Sequence, residues 1–496
     1  MKEHPSIRRV ALAAALALVM AGCSIPAKLE RPALRDDVPL AGLQTATRAG
    51  WPEAAWWRRY QDPQLDQLID MALKGSPDLV QAKSRVDSAQ QTIRVAAAQA
   101  GLRIDGSAQV ARQRLSDHGL IPSQFLGFSW YNQADLGVQL QYDFDWWGKK
   151  RHAIESAVDQ AHAAEAQRSA ASLALQSSVA DTYFGWLADR QRVKLADDMI
   201  AAQERLLRIA ELRVRQGVDL SDTAEQARSD LAAARQQRVA LDGSSSIRLA
   251  ALAALVGVSP AGLPKLEPRA LPDVELGLPT NANIDLIARR PDIAASRWQV
   301  EAALKQTDVA RAQFYPDVSI GATAGLSSID LDKLFTGGSR VFGLTPALHL
   351  PIFEGGALEA NYGVSKAQLD TAIAQYNSTV IAAARDVATQ SLGADEIAGR
   401  RTEQAKQVVS GEKLLGTAEA RAKSGVRDGR ESLMTRAQLL QQRDAGLSLH
   451  AQALSADVAL VKSLGGGYQA EPVTTVSSTS SSTSANSTGA LDHERQ

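Results

Sequence analysis

The sequence predicts a mainly helical chain with a small β part: a duplicated long-helix, coiled-coil unit in which each copy carries one β-hairpin, four strands in all. Three observations predict it. Long stretches are almost free of helix breakers, shorter stretches alternate polar and apolar residues, and the second half of the chain repeats the first.

Composition narrows the class before any motif is considered. The 496 residues carry a formal net charge of -1, which leaves no basic surplus to displace the counterions of a nucleic acid. Aromatics make up only 5% while Ala, Gln and Arg abound, which suits long helices better than compact cores.

At the N-terminus Lys2, Arg8 and Arg9 precede an apolar run over residues 10–20, then Met20-Ala21-Gly22-Cys23. This pattern predicts a signal peptide over residues 1–22. Cys23 is the only cysteine, so no disulfide forms within the chain. The small pair before Cys23 resembles a bacterial lipobox and marks it for lipidation; ordinary cleavage with an idle thiol is the alternative. Ser24 resembles the outer-membrane sorting pattern of bacterial lipoproteins. Residues 23–50 read as a lipidated linker. Beyond the leader no run approaches the roughly 20 apolar residues of a spanning helix, so any membrane crossing falls to strands.

The duplication can be read residue by residue. Pro77-Asp78 matches Pro291-Asp292, and in the same register Val86 matches Val300, Val95 matches Val309 and Gln99 matches Gln313. Further on Gly148 matches Gly356, Glu211 matches Glu419, Gly217 matches Gly425 and Gly257 matches Gly465. Two copies of one large unit follow, over residues 51–257 and 291–467, joined by a connector at 258–290. The Ser/Thr-rich stretch 468–496 lacks apolar anchors and is expected to be disordered.

Each copy reads helix, hairpin, long helix, turn, helix. From Lys149 to Gln216 there is no proline and one glycine, Gly185, so a helix there reaches roughly 100 Å. The return limb over 220–256 is shorter; a helix over 78–100 placed end to end with it restores the length. Leu195, Met199, Ala202, Leu206 and Ile209 form a heptad seam, with a second through Ile200, Gln203, Leu207, Ala210 and Val214. Two adjacent seams give the helix partners on two sides, as in a closed ring, although a plain bundle would also use them.

Residues 134–144 alternate strictly. Leu136, Val138, Leu140, Tyr142 and Phe144 share one face, and Asp135, Gln139, Gln141 and Asp143 the other. Residues 341–352 keep the pattern, and weaker strands over 104–112 and 318–327 complete hairpins at about 103–146 and 316–353. The apolar face suits lipid and Asp135, Gln139, Gln141 and Asp143 are candidate lumen-facing residues, with Trp146, Trp147, Phe314, Tyr315 and Phe353 as an interfacial belt. A half-buried sheet in a soluble protein is the alternative for any single strand. Membrane sheets must close, and barrels of this kind have at least eight strands, so four strands per chain require at least two copies.

Taken together, Trp56-Trp57-Arg58-Arg59-Tyr60 with Asp62-Pro63-Gln64-Leu65-Asp66, Gly277-Leu278-Pro279 leading to Arg289-Arg290-Pro291-Asp292, and Asp145-Trp146-Trp147-Gly148 resemble TolC-like outer membrane efflux proteins of the NodT-type lipoprotein branch. The likeness covers nearly the whole chain after the leader. It implies a homotrimer with a twelve-stranded β-barrel in the outer membrane and a helical tunnel in the periplasm. It further implies a periplasmic adaptor (membrane fusion) protein, an inner-membrane pump, and a passive duct for drugs or other small toxic compounds. A type I protein-secretion exit channel and a non-channel periplasmic coiled-coil scaffold are the competing readings.

Arg215-Gln216-Gly217 and Lys423-Ser424-Gly425 resemble that family's hairpin tips. Arg215, Gly217, Val218, Asp219, Lys423, Gly425 and Val426 are thus candidate adaptor-docking residues. Asp428, Arg430 and Glu431 are candidates for a periplasmic gate; the family's second carboxylate position holds Met434. The plainer expectation for Asp222 with Glu225, and for Asp428 with Glu431, is a capping box. No histidine spacing suits a metal, no phosphate loop or nucleophile set is present, and no cofactor is expected. The chain reads as a non-enzyme.

Overall fold

The computed structural model describes residues 25–30, 33–35, 47–48, 50–116, 118, 123–274, 276–279 and 282–469. The signal peptide, Cys23 and nearly all of the Ser/Thr-rich tail lie outside them. The described chain is mainly helical with one small antiparallel sheet, as the sequence predicts at that level.

Apart from a single turn at Ser123–Leu126, the α-helices are α1 (Pro63–Gly75), α2 (Pro77–Ala100), α3 (Lys149–Arg215), α4 (Ser221–Val256), α5 (Ala282–Arg289), α6 (Pro291–Ala312), α7 (Ala357–Lys423) and α8 (Gly429–Ser463). The sheet holds β1 (Arg103–Arg114), β2 (Trp130–Phe144), β3 (Asp317–Ser328) and β4 (Arg340–His349), in that spatial order and antiparallel throughout. Both long rods, α3 and α7, run 67 residues, about 100 Å at 1.5 Å per residue.

Each rod leaves the sheet through a left-handed glycine, Gly148 at φ 77° or Gly356 at φ 85°. The return path is made of two helices. Gly257 ends α4 at φ 79°, and a Cβ there would collide with the carbonyl of Gly75, just before Pro77 opens α2. Gly465, after α8, makes the same close approach to the carbonyl of Arg289, just before α6. In each repeat a helix rising from the tip therefore meets another continuing to the sheet. Arg290 seals the second joint: it donates to the carbonyl of Ser463 at 3.0 Å and holds Asp292 with two bonds of 3.0 and 2.6 Å. A cation at a helix C-terminus also opposes the local helix dipole.

Lateral order follows the same sequence at every level. In substantial contacts α3 lies against α2, α4, α6 and α8, whereas α7 lies against only α6 and α8. The two seams on α3 find different partners: Ala210, Leu207 and Val214 pack on Ala224 and Ala227 of α4, while Ala202 faces α8. The array has two open edges, β1 with α2 and α4 on one side, β4 with α7 on the other.

The largest core sits midway along the rods. Trp56, Leu65, Leu68 and Ile69 pack on Tyr183, Phe184 and Leu187 of α3 and on Leu454 and Val461 of α8. Two polar residues of the Trp-Trp-Arg-Arg-Tyr segment are satisfied there: Tyr60 donates to the fully buried Asp457 at 2.5 Å, and Arg59 pairs with the same carboxylate. Tyr183 donates to Asp62 at 2.7 Å. Thr47–Arg48 form a short parallel ladder with Leu278–Pro279.

Three expectations are corrected. Asp222 lies inside α4, whose N-cap is Leu220, and Glu225 pairs with Arg228 at 2.5 Å, so no capping box forms. Asp428 does occupy the N-cap of α8, but its side chain makes no cap bond. Phe314 is buried against Tyr362 and takes no part in an exposed aromatic belt, because it follows α6 on the side facing α7. Also, α4 holds an 18-residue window apolar enough to span a membrane by composition, with mean hydropathy 1.5. That window belongs to an alanine-rich helix packed along α3, with Asp242 and Arg248 paired to Arg190 and Asp189.

Candidate functional site

The sheet separates its faces by chemistry. In an antiparallel ladder directly opposite residues share a face, so register extends the alternation of β2 to its weaker neighbours. Asp135 lies opposite Gln109 and Ser327, Gln139 opposite Asp105 and Thr323, Gln141 opposite Arg103 and Gly321, and Asp143 opposite Ser319. The four candidate lumen residues thus belong to one polar face of the sheet. Ser327 donates to Asp135 at 2.6 Å, and Lys150 pairs with Asp143 at 3.2 Å.

The opposite face carries Ile104 and Val110 of β1, Leu136, Val138 and Tyr142 of β2, Ile320 of β3, and Phe342, Leu344 and Leu348 of β4. Much of it is bare: Val110 is 71% exposed, Phe342 75% and Leu344 69%. A belt of this kind is unfavourable in water and requires an apolar cover. At the helical end of the sheet Trp147 stacks on Tyr315 at 4.4 Å and donates to the carbonyl of Pro316, while Trp146 and Phe353 are exposed.

At the far end of the rods the two tips share one turn. Gly217 at φ 72° and Gly425 at φ 70° take the left-handed conformation that a Cβ disfavours. Val218 then donates to the carbonyl of Arg213 at 2.9 Å, and Val426 to that of Arg421 at 3.1 Å. Both valines, together with Leu220 and Met434, present apolar side chains to solvent. Arg215 and Lys423 end the rods, where a cation suits the helix dipole.

Charged residues join the tips. Arg213 holds Asp219 with two hydrogen bonds of 2.7 and 3.0 Å. Arg430 reaches Asp219 at 3.6 Å, and Arg213 reaches Asp428 at 3.8 Å. Asp428 and Arg430 therefore bind the second tip to the first. Glu431 has different partners, Arg421 and Arg427, both at 3.7 Å. The hydrogen bond from Arg213, aided by the charges of Arg213 and Arg430 and only partly opposed by desolvation, holds the Asp219 carboxyl below the usual aspartate value. Sequence reasoning had not singled out Arg213, Arg421 or Arg427. The signal available was Arg213 six residues before Asp219 across a glycine turn.

Among the described residues no group of three His, Cys, Asp or Glu side chains could hold a metal ion. The arrangement offers a polar strip along one face of the sheet and an ion-paired cluster that joins the two tips.

A family model described as outer membrane efflux protein matches residues 68–258 and 284–466. The multidrug resistance outer membrane protein MdtP of Escherichia coli (strain K12) is 34% identical over 453 residues, 90% of this chain and 92% of that protein. The multidrug resistance outer membrane protein MdtQ of Escherichia coli O157:H7 is 33% identical over 471 residues, 92% of this chain and 97% of that one. Among solved structures, the outer membrane protein VceC of Vibrio cholerae superposes with a TM-score of 0.76 at 31% identity, covering 84% of this chain and 100% of that chain.

Proposed function

The chain belongs to the outer membrane efflux protein family and acts as an efflux channel of the outer membrane; from that premise we propose that it is the exit duct of a tripartite system. In this reading three copies join into a homotrimer, and a periplasmic adaptor and an inner-membrane pump deliver drugs or other small toxic compounds to it. The duct is passive and takes its energy from the pump.

One observation carries the assembly: the shared lateral order of strands and helices, open at β1, α2 and α4 on one side and at β4 and α7 on the other. The two edges differ, so copies join head to tail, and such an interface closes into a ring when its rotation allows. A sheet with one lipid-suited face must close to satisfy its edge groups, and three copies supply twelve strands. Asp135, Gln139, Gln141 and Asp143 then face the lumen.

The proposal includes lipidation of Cys23. The segment after it supports this placement, because Tyr362 near the start of α7 bonds Ala27 and Tyr376 further along bonds Arg35. The chain just before Ala27 therefore lies by the sheet end of α7, where an acyl chain would reach the membrane.

Purified protein in a planar bilayer tests the reading, together with native mass spectrometry and antibiotic susceptibility of a deletion strain. The expected outcome is a conducting trimer and hypersensitivity restored by the gene. A folded oligomer with no conductance would overturn it.

A further inference from the structure

Below the equatorial core, the face of α3 between α4 and α8 is left uncovered and forms a groove of about 440 Å³. Leu195 and Met199 of α3 form its floor, with Leu241 of α4 and Leu440 of α8 on its walls. At helical spacing Met199 continues the stripe of Asp181, Gly185 and Arg192, roughly opposite Tyr183 and Leu187, which the equatorial core covers. The groove is thus on the side of the array away from that core; this inference rests on the function proposed above and takes that side as the interior of the duct, since a core turned inward would fill the bore of a closed ring.

Two carboxylates stand at its rim and they are not equivalent. Both oxygens of Asp444 are engaged by Arg192, at 2.7 and 2.8 Å. Asp230 accepts a hydrogen bond from the neutral amide of Gln226 at 2.8 Å, and among the described residues no cation is paired with it. Its negative charge therefore stands beside a leucine and methionine floor with no ion-pair partner among the described residues. The volume is within the range of pockets for drug-sized ligands, and a thioether adapts its shape to unlike apolar surfaces.

We propose that this groove is a binding site for amphipathic organic cations in transit, with the apolar body of the cargo on Met199 and Leu195 and its cationic centre at Asp230. Anionic cargo meets repulsion from Asp230, and Arg192, whose guanidinium is already engaged by both oxygens of Asp444, does not offset it. Affinity is modest, because a conduit must release what it holds.

Fluorescence anisotropy of rhodamine 6G, a lipophilic monocation, on the full-length detergent-solubilised oligomer tests the proposal, with fluorescein as the anionic control. Saturable rhodamine binding is expected, absent for fluorescein. Asp230→Asn, an isosteric change at an exposed position, should weaken it by about fivefold, the effect of an exposed charge pair near the top of its usual range. Met199→Gln should weaken it by removing the apolar contact. Equal affinity in wild type and Asp230→Asn, absence of saturable binding, or equal binding of fluorescein would each overturn the site. Bilayer conductance of the same preparations separates the two readings: conductance without dye binding removes this site alone, and a wild-type oligomer that does not conduct removes the channel.

Discussion

Arg213 clasps Asp219 across the turn at the first tip, with bonds of 2.7 and 3.0 Å. Because Asp219 also faces Arg430 of the second tip, the clasp is the centre of a cluster that ties two hairpins together. Loosening it should open the periplasmic mouth. Asp219→Asn and Arg430→Ala are expected to raise single-channel conductance in planar bilayers, as is Glu431→Ala through release of Arg421 and Arg427. Unchanged conductance in all three would remove the tips from the gate.

The same clasp sets a pH response. The Asp219 carboxyl is held below its ordinary value of 3.8, so its contribution is fully present above that value and is lost as pH falls through the depressed one. Conductance should accordingly stay level from neutral pH down to about 4 and rise only in more acid solution. In Asp219→Asn that rise should be absent.

Adjacent positions on β2 should respond in opposite ways to one substitution. Val138 is on the apolar face and Gln139 on the polar one. Val138→Arg is expected to cost about 2–4 kcal/mol at the bilayer midplane and to abolish heat-resistant oligomer in outer-membrane fractions, while Gln139→Arg leaves it intact. Equal oligomer yield from both would contradict the assignment of faces.

Two glycine substitutions should likewise move stability in opposite directions. Gly465 is left-handed at φ 93°, and a Cβ there would collide with the carbonyl of Arg289. Gly465→Ala should destabilise by about 1–3 kcal/mol or more. At the exposed, helical Gly243 a Cβ meets nothing, so Gly243→Ala should stabilise by about 0.5–1 kcal/mol. Thermal melts of the purified oligomer measure both.

Val218 and Val426 stand exposed just past the tip glycines. Cysteines placed there should cross-link to the adaptor in cells during active efflux. Failure of both, with the variants still supporting resistance, would place docking elsewhere.

The rods and the strand faces were legible in the sequence because their periods are local. The strand Asp317–Ser328 was harder: Gly321, Ala322, Ala324 and Gly325 are too small to mark a face, and only pairing with β2 assigns Ser319, Thr323 and Ser327 to the polar side. Partners far apart in sequence were not legible at all. Nothing local in Arg192 points to Asp444, or in Tyr60 to Asp457, because the helices that bring them together are ordered by packing rather than by any short motif. The Asp222–Glu225 spacing misled for a related reason: a capping box needs its first residue outside the helix, and Leu220 already holds that position.

The joints at Gly257 and Gly465 have a mechanical consequence. Of the four struts in each copy, two are continuous beams and two are spliced, and in each repeat the spliced strut abuts end to end, with no backbone hydrogen bond across the joint among the described residues. Load along the axis passes through such a butt joint, while bending is resisted by the unbroken α3 and α7 and by the core packed around the joint. The lower half of a spliced strut therefore moves at its joint without breaking a turn of helix, but only at the cost of the core contacts of Leu454 and Val461 and, at the second joint, of the Arg290 bond to Ser463.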